Sequence, residues 1–343
     1  MTDDKIVIGI SHGDINSISY EVIIKALMDK RILEMCTPVI YGSPKVAAYH
    51  RKALNIENFS MNNITSADQA NDKRVNIIDC FTEELKVELG KSTDIAGKAS
   101  VDSLQKAVQD LKDGLLHGLV TGPINKDNTQ SEQFNFPGHT EYLKAQFGVD
   151  EVLMILVNEN LRVGVATGHV PLKDVSGLIT KELLLQKINI FNKSLKEDFG
   201  IRKPKIAILG LNPHAGDNGL LGSEEIDQII PAIQTARDKG ILALGPYPAD
   251  GFFGSGDFDA YDGVLAMYHD QGLAPFKALA FDKGVNYTAG LPVVRTSPGH
   301  GTAFTIAGNN KASEDSFRNA LYLAIDIFKR KKQYTELTEN PLQ

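Results

Sequence analysis

The chain has 343 residues and a formal net charge of -7. Since domains typically hold about 100–200 residues, this length predicts two domains. The excess of acidic residues disfavours nucleic acid as a partner, because phosphate backbones need clustered lysine and arginine. A small anionic ligand is compatible with this charge, since a few local basic residues can bind it.

The cysteines and the apolar runs bear on the cellular compartment. Cys36 and Cys80 form neither a CxxC motif nor a disulfide framework, which favours a reducing compartment. The opening MTDDKIVIGI lacks the basic region and long apolar run of a signal peptide. The longest apolar runs, such as 152–157, are far shorter than the ~20 residues that cross a bilayer. We therefore expect a cytoplasmic protein with no membrane partner.

Short apolar runs alternate with longer amphipathic segments along the chain. The runs are almost continuously hydrophobic, which is typical of strands buried on both faces of a parallel sheet. The predicted strands, in chain order, are 5–10, 38–41, 75–79, 118–121, 152–157, 161–167, 205–211 and 264–268. Apolar residues at helical spacing and helix-end signals predict helices over 101–111, 223–239 and 317–328. This alternation predicts an α/β protein.

Two polar stretches interrupt the pattern. Residues 55–73 are polar and irregular, and we interpret them as an exposed connection. Residues 126–137 are polar and broken, and they are the best candidate for a crossing between domains.

The common nucleotide-binding fingerprints are absent. No GxGxxG motif follows a predicted strand, and the phosphate-binding motif GxxxxGKS or GxxxxGKT is absent. HExxH and cysteine-rich zinc patterns are missing as well. A standard Rossmann cofactor site is therefore not expected.

Three histidines each lie just past the carboxyl end of a predicted strand: His169, His214 and His269. In open α/β sheets ligands bind beyond these ends, and neighbouring strands lie only ~4.8 Å apart, so the three side chains can converge. Catalytic zinc uses three protein ligands and an open position, and it accepts imidazole nitrogen. A shared metal is one interpretation; the other is that each histidine hydrogen-bonds its own loop.

Other polar residues suit anions. Lys277 and Arg295 lie in stretches rich in glycine and proline, which predict binding loops. Arginine forks onto a carboxylate or phosphate, and lysine supplies a point charge; surface ion pairs are the alternative. His139 and Thr140 open a predicted helix whose backbone N–H groups can hold an anion, and an ordinary N-cap is the alternative there.

The segment 297–308 is rich in glycine and joins a strand to the last helix. Its glycines can bring the backbone close to a ligand. The alternative is a tight surface connection.

Seven sequence blocks match one pattern, in order along the chain. They are 121–126 (TGPINK), 136–141 (FPGHTE), 167–172 (TGHVPL), 210–216 (GLNPHAG), 245–250 (GPYPAD), 268–272 (YHDQG) and 284–288 (GVNYT). On these blocks the chain resembles the 4-hydroxythreonine-4-phosphate dehydrogenases, from near residue 5 to about residue 330. The loop that begins at His300 also resembles the HGSAPDIAG cofactor loop of isocitrate and isopropylmalate dehydrogenases.

The resemblance implies an isocitrate/isopropylmalate dehydrogenase-like fold of two α/β/α domains. The first would comprise 1–128 and 302–343, and the second 129–301. It implies the oxidation and decarboxylation of 4-hydroxy-L-threonine 4-phosphate to 3-amino-2-oxopropyl phosphate, in pyridoxal 5'-phosphate (vitamin B6) synthesis. The implied cofactors are NAD or NADP and one divalent metal per active site (zinc, magnesium or cobalt). The implied assembly is a homodimer with the active site at the subunit interface.

The resemblance also implies the site residues. The metal ligands would be His169, His214 and His269. The substrate would contact His139, Thr140, Lys277, Asn286 and Arg295. The cofactor loop would contain His300, Gly301, Thr302 and Ala303. The general base is left open between Asp250, Asp270 and Lys277.

The chain departs from the family pattern in two places. The family usually opens with a segment like GDPAGIGPE, whereas residues 13–21 read GDINSISYE. Asp14 and Glu21 are kept, but the glycines and prolines between them are replaced, so we expect an altered turn. Gly299 and Thr305 stand where the cofactor loop usually carries aspartates, which predicts looser or altered cofactor preference.

Three other functions are compatible with these residues. A dehydrogenase on the same scaffold can oxidise another phosphorylated hydroxy acid, such as a four-carbon sugar acid phosphate. A metal-dependent hydrolase would use the three histidines without a nicotinamide. A binding protein that has lost catalysis would fit the altered 13–21 segment.

Overall fold

The computed structural model describes residues 5–131, 134–159 and 161–339. The strands in that part of the chain are β1 (Val7–Ser11), β2 (Thr37–Gly42), β3 (Asn62–Ile64), β4 (Asn76–Asp79), β5 (Gly118–Thr121), β6 (Leu153–Asn158), β7 (Leu161–Val165), β8 (Lys205–Leu209), β9 (Leu242–Tyr247), β10 (Gly263–Ala266), β11 (Val285–Ala289) and β12 (Arg295–Pro298). The α-helices are α1 (Ser19–Leu27), α2 (Ile32–Met35), α3 (Pro44–Ala53), α4 (Asp94–Lys112), α5 (His139–Gln146), α6 (Leu172–Leu178), α7 (Lys181–Glu197), α8 (Ile230–Asp238), α9 (Ala249–Gly254), α10 (His269–Ala280) and α11 (Asp315–Glu339).

The chain forms two compact α/β units. The first comprises Met1–Leu143 and Pro292–Phe328, and the second Lys144–Leu291 and Lys329–Gln343. The domain boundaries expected from the sequence resemblance lie at 128/129 and 301/302. Part of the candidate crossing at 126–137 lies outside the described residues. The strand order is β3-β4-β2-β1-β5-β12 in the first unit and β11-β6-β7-β10-β8-β9 in the second.

All eight predicted strands are confirmed, with ends that differ by at most two residues. The strands β3, β9, β11 and β12 were not predicted. β3 pairs in parallel with β4, so the interpretation of 55–73 as only an exposed connection is wrong. Three residues that include two asparagines are too few to give a hydrophobic pattern. The three predicted helices are also present, although 223–239 begins with a π-helical turn (Glu225–Ile229) before α8.

β6 departs from the expected parallel pattern. It pairs antiparallel with both β7 and β11, whereas β7, β10, β8 and β9 pair in parallel. Only two residues separate β6 from β7. That link is too short for the crossover that parallel strands need.

Helices cover the strands through their apolar faces. In the first unit, Thr93 caps α4 by accepting the backbone N–H of Ala96, and α4 packs on β1, β2 and β5. In the second unit, Phe276 of α10 packs into a core with Val163 and Val264. Because side chains fill the faces of each sheet, the carboxyl ends of the strands are left to carry polar groups. Among the described helices, none combines the length and apolarity that a bilayer crossing demands.

Candidate active site

Three adjacent parallel strands of the second unit, β7, β10 and β8, precede the three predicted metal ligands. His169 follows β7, His269 begins α10 after β10, and His214 lies in the turn after β8. β9 pairs with β8 and leads into α9, which has Asp250 in its first turn. The parallel pairing therefore places these four residues at one edge of the sheet.

His169 and His269 are neighbours at this edge. Their ring centroids are 5.4 Å apart and the rings are inclined at 43°. Thr167 ties the two strand ends together, since its backbone N–H and its hydroxyl both donate to the carbonyl of Met267, at 3.1 and 2.8 Å. Two imidazoles that share a tetrahedral metal at ~2.0–2.1 Å have centroids roughly 5 Å apart, so this pair fits one cation.

Asp270 orients the ring of His269. The Nδ1 atom of His269 lies 2.6 Å from Oδ1 of Asp270. When Nδ1 donates its proton to this carboxylate, Nε2 is the nitrogen available for coordination. A carboxylate behind a histidine is the usual arrangement behind a metal ligand.

His214 is exposed and lies in a left-handed turn. Residues 214–218 all have positive φ, from 42° to 81°, a conformation that costs non-glycine residues roughly 1–2 kcal/mol each. Glu225, which is 2% exposed, holds the start of the turn, because its Oε1 accepts the backbone N–H groups of Leu211 and Asn212 at 2.7 and 2.8 Å. Strain that is held in place by buried hydrogen bonds is characteristic of functional loops.

Gln271 joins two of the strand ends. Its Oε1 accepts the backbone N–H of Met267 at 2.7 Å, and its Nε2 donates to the carbonyl of Gly210 at 2.6 Å. The side chain therefore links the end of β10, which leads to His269, with the turn that carries His214.

Within one chain, two of the three predicted ligands are brought together. The described residues contain no group of three His, Cys, Asp or Glu side chains that could hold a metal ion. His214 shares the edge with His169 and His269 without joining their pair. The pair itself has imidazole donors, a suitable separation and an orienting carboxylate, so these residues fit part of a metal site.

Two other predicted residues of the second unit take up different positions. Lys277 lies in α10 and not in the expected loop. Pro275, which predicted a break there, lies inside this helix. Asp270 and Lys277 are both exposed on α10, separated by a rise of roughly 10 Å. Asn286 lies in β11 opposite Leu156, and its Oδ1 is buried without a hydrogen-bond partner among the described residues.

Arg295 belongs to the first unit and is buried at 2% exposure. It begins β12 and so lies in a strand, not in the expected loop. Its Nε and Nη2 donate to the hydroxyl of Thr121 at 3.2 and 2.6 Å. Burial lowers the pKa of Arg295 to about 10, so the guanidinium is still charged at neutral pH. The result is a fixed cation at the end of β5.

His139 begins α5 in the first unit, and Thr140 follows it in the first turn. The Nε2 atom of His139 is buried without a hydrogen-bond partner among the described residues. Burial, followed by the charges of Arg295 and Lys126, holds the pKa of His139 well below its usual range. A neutral imidazole at a helix start, with an unsatisfied nitrogen near two cations, fits an anion-binding role.

The predicted cofactor loop also contains an unsatisfied nitrogen. The Nε2 atom of His300 is buried without a partner among the described residues, while Nδ1 lies 3.0 Å from the carbonyl of Gly301. Burial lowers the pKa of His300. A Cβ added at Gly301 would meet nothing within 4 Å, whereas Ala303 adopts a left-handed conformation and Thr302 accepts a backbone hydrogen bond from Ile18. These features fit a ligand that approaches the loop closely.

The altered 13–21 segment is fully buried and runs through a turn into the first residues of α1. The two carboxylates that it shares with the family pattern are both hydrogen-bonded. Asp14 accepts the side-chain amide of Asn128 at 2.9 Å, and Glu21 accepts the backbone N–H of Ala312 at 2.9 Å.

Sequence reasoning missed the residues that hold these side chains in place, namely Thr121, Thr167, Glu225 and Gln271. Thr121, Thr167 and Gln271 lie inside motif blocks but were not singled out there, whereas Glu225 lies outside every block. Spacing along the chain carries no record of a hydrogen-bond partner tens of residues away.

Known proteins resemble this chain over its whole length. A 4-hydroxythreonine-4-phosphate dehydrogenase of Bacteroides thetaiotaomicron is 54% identical over 345 residues, which cover 100% of this chain and 94% of that protein. The crystal structure of a 4-hydroxythreonine-4-phosphate dehydrogenase from Burkholderia phymatum is 36% identical, covers 95% of this chain and 99% of that chain, and has a TM-score of 0.78. An isocitrate dehydrogenase from Methylococcus capsulatus shares the fold, with a TM-score of 0.50 at 11% identity over 97% of this chain and 89% of that chain.

The matching family model is that of the pyridoxal phosphate biosynthetic protein PdxA, over residues 34–324. The chain has the isocitrate dehydrogenase-like α/β fold, as the resemblance implied. It belongs to the PdxA family. The altered 13–21 segment lies before the residues that the family model matches.

Proposed function

We propose that this protein is an oxidoreductase that converts 4-hydroxy-L-threonine 4-phosphate to 3-amino-2-oxopropyl phosphate during pyridoxal 5'-phosphate synthesis. The observation that carries the proposal is the 54% identity, over the whole chain, to a relative of that name. In the overall reaction the C3 hydroxyl is oxidised to a ketone, a hydride passes to NAD or NADP, and the carboxylate leaves as carbon dioxide. A proton then replaces it on carbon.

The metal centre would be built on His169, His214 and His269. A zinc, magnesium or cobalt ion bound there supplies Lewis-acid stabilisation for the charge that develops on the substrate oxygen. The spacing of His169 and His269 and the orienting carboxylate of Asp270 support this assignment. Completion of the ligand set at a subunit interface would account for the finding of a pair, not a triad, within one chain.

The remaining predicted residues would bind and orient the substrate. Arg295, fixed by Thr121, presents a guanidinium to a carboxylate or phosphate. The buried Nε2 of His139 and the backbone N–H groups at Thr140 offer neutral partners to the same anionic groups. Lys277 and Asn286 would add a charge and an amide. Partners that are held in place, as Arg295 is by Thr121, favour the reactive geometry at C3.

Proton transfer is assigned among three candidates. Asp270 is hydrogen-bonded to His269, which ties its carboxylate to metal-ligand orientation. Asp250 is exposed in the first turn of α9, at the same strand edge as the histidines. Lys277 is exposed on α10. We therefore propose Asp250 or Lys277 as the general base and Asp270 as the orienting group.

The nicotinamide would bind at His300, Gly301, Thr302 and Ala303. The buried, unpaired Nε2 of His300 and the open space at Gly301 support this placement. The substitutions at Gly299 and Thr305 remove two carboxylates from the loop pattern, so we expect weaker discrimination between NAD and NADP.

A homodimer in the cytoplasm completes the proposal. Ser176 of α6 hydrogen-bonds Glu224 at 2.5 Å, which places α6 beside the start of the π-helical turn. The exposed apolar side chains of these neighbouring elements, of the turn before them and of the first residue of α8 are Leu172, Leu178, Leu220, Leu221, Ile226 and Ile230. Exposed apolar clusters of this kind mark interaction surfaces. Light scattering that gives a monomer mass at micromolar concentration would contradict the dimer.

The deciding experiment is turnover of 4-hydroxythreonine 4-phosphate, followed by the absorbance of reduced nicotinamide, with and without a chelator. We expect reduction of NAD or NADP, its loss after chelation and its recovery with zinc, magnesium or cobalt. His169→Ala should abolish the metal response. Full activity of that variant after metal removal would contradict the proposed centre.

The same assay separates the other functions. Turnover of a four-carbon sugar acid phosphate in preference to 4-hydroxythreonine 4-phosphate would change the substrate and keep the class. Phosphate release without nicotinamide reduction would indicate a hydrolase. Substrate binding without turnover would indicate a binding protein.

A further inference from the structure

Asn16 lies in the altered 13–21 segment and has no solvent exposure. It makes four hydrogen bonds to one neighbouring loop. Its Nδ2 donates to the carbonyl of Lys91 and to the hydroxyl of Thr93, both at 3.0 Å. Its Oδ1 accepts the backbone N–H of Glu88 at 2.7 Å, and its carbonyl accepts the N–H of Gly90 at 2.8 Å. Asn16 therefore holds residues 88–93 at several points, three of them through its side chain and one through its backbone carbonyl.

Residues 88–93 in turn lie against the predicted cofactor loop. A Cβ added at Gly90 would come within 3.0 Å of the carbonyl oxygen of Phe304, and one at Gly308 would come within 2.6 Å of Leu89. The backbone at Gly90 therefore lies close to that of Phe304, and the side chain of Leu89 lies against Gly308, so the two loops pack on one another. The 13–21 segment also contacts the cofactor loop directly, since Ile18 donates its N–H to the carbonyl of Thr302 at 3.2 Å.

Asn16 is itself held rigidly. Oδ1 of Asp14 accepts the backbone N–H of Asn16 at 2.8 Å, and the hydroxyl of Ser17 donates to the carbonyl of Asp14 at 2.6 Å. Asp14 is anchored to another part of the unit, because its N–H donates to the carbonyl of Pro123 at 2.9 Å. A network in which each member is satisfied is rigid and specifies one geometry.

From these contacts we propose that Asn16 is a positioning residue for nicotinamide binding. It clamps residues 88–93 against the loop 302–308 and so keeps His300 to Ala303 in the conformation that receives the cofactor. The inference rests on the proposed function, because the role of that loop comes with it. Where the family pattern usually has alanine, this chain has Asn16, whose longer polar side chain preorganises the cofactor loop.

The test compares Asn16→Ala with Asn76→Ala in the full-length protein. Asn76 is also fully buried in the first unit, and it also bonds loop carbonyls, those of Asn71 and Arg74 at 2.9 Å. It begins β4 and so lies at the opposite end of the strands from the cofactor loop. It is therefore a matched control for the general loss of a buried asparagine.

Calorimetric binding of NAD and NADP, without substrate, is the first readout. We expect Asn16→Ala to raise the dissociation constant about tenfold, because binding must then order the loop, and Asn76→Ala to leave it unchanged. Hydrogen exchange is the second readout, and the amide of Glu88, which loses its side-chain acceptor, should exchange faster in Asn16→Ala alone. In steady state, KM for the nicotinamide should rise while KM for the substrate is unchanged.

Each outcome is decisive. Faster exchange with an unchanged dissociation constant would show that the clamp is structural only, and equal losses in both variants would show a general effect; either overturns the inference while the proposed function stands. If the wild-type protein binds no nicotinamide, the proposed function and the inference fail together.

Discussion

The 13–21 segment of the first unit and the histidine edge of the second unit, which carries His169, His214 and His269, place their polar side chains in opposite environments. Every residue of the 13–21 segment is buried, and Asp14, Asn16 and Glu21 all have internal partners. At the histidine edge, His169 and His214 are exposed, and the turn that carries His214 has five residues with positive φ.

The difference separates geometry that is set by folding from geometry that a ligand completes. A buried hydrogen-bond network fixes positions in advance, because leaving a buried donor or acceptor unpaired costs about 1–3 kcal/mol. Exposed imidazoles have no such penalty and keep their coordinating capacity. We therefore expect substitutions at the histidine edge to alter metal binding and rate, and substitutions in the 13–21 region to alter stability and cofactor affinity.

Loss of His269 should give the largest effect and test the comparison most directly. His269→Ala removes one of the proposed metal-coordinating nitrogens, and His269 lies outside the buried core. Lewis-acid stabilisation is worth several kcal/mol, so kcat/KM should fall on the order of 10³-fold at about 1.4 kcal/mol per decade. The melting temperature without metal should be unchanged. A large loss of stability in the metal-free protein would mean that this edge is structural, like the 13–21 segment.

Asp270→Asn should have a smaller effect of the same kind. The variant keeps the shape of the side chain but replaces the carboxylate that faces Nδ1 of His269. Loss of such an orienting partner typically costs 10–100-fold in metal affinity. Competition with a chromophoric chelator measures that affinity. Asp282→Asn, in the exposed stretch after α10, is the matched control and should bind metal normally; an Asp270→Asn protein that matches it would contradict the orienting role.

Glu225→Gln sharpens the comparison, because the buried Glu225 supports the turn that carries the exposed His214, a proposed metal ligand. The carboxylate accepts three hydrogen bonds, two from the backbone at Leu211 and Asn212 and one from the side chain of Asn212. An amide cannot accept at both ends, so a donor is left unpaired at a cost of about 1–3 kcal/mol. We expect a lower urea midpoint and weaker metal binding. Normal metal affinity with reduced stability would show that the turn holds His214 without help from Glu225.

The sequence was sufficient for most of the fold. Apolar runs such as that of β10 are almost wholly buried, so hydrophobicity alone located them. β3 and β12 were not predicted, because they are only three and four residues long and consist largely of polar residues. β6 was located but given the wrong partner direction, since pairing depends on a two-residue link and not on hydrophobicity.

The strand-end positions of the three histidines could be predicted from the sequence, whereas the residues that support them could not. The position of each histidine after a strand follows from the local pattern, and the structure brings two of them to 5.4 Å. Their supports are long-range, as in the bond from Gln271 to Gly210. Lys277 and Arg295 were expected in loops because glycine and proline surround them, but α10 accommodates Pro275 and β12 begins at Arg295. Local composition therefore does not show whether a stretch rich in glycine and proline forms a loop or is packed into a helix or strand.

The smallest effect at neutral pH is expected at His12, which lies next to the 13–21 segment and shows what an unpaired buried group does. His12 has no solvent exposure, stacks on Tyr20 at 5.4 Å between ring centroids, and has no hydrogen-bond partner for either ring nitrogen among the described residues. Burial lowers the pKa of His12 from 6.5 to about 3. The unfolded chain therefore binds a proton below pH 6.5 that the folded protein does not bind.

This difference makes stability fall as the pH falls, by about 1.4 kcal/mol per pH unit between the two pKa values. His12→Phe keeps an aromatic ring for stacking and removes the titration. Its free energy of unfolding should match or exceed that of the wild type near pH 7 and should drop about 2 kcal/mol less on going to about pH 5. Urea titrations at both pH values measure this, with the exposed Tyr49→Phe as a control that should follow the wild type. If His12→Phe also follows the wild-type slope, His12 must take up its proton in the folded protein, and the 13–21 region would be less closed to solvent than its burial implies.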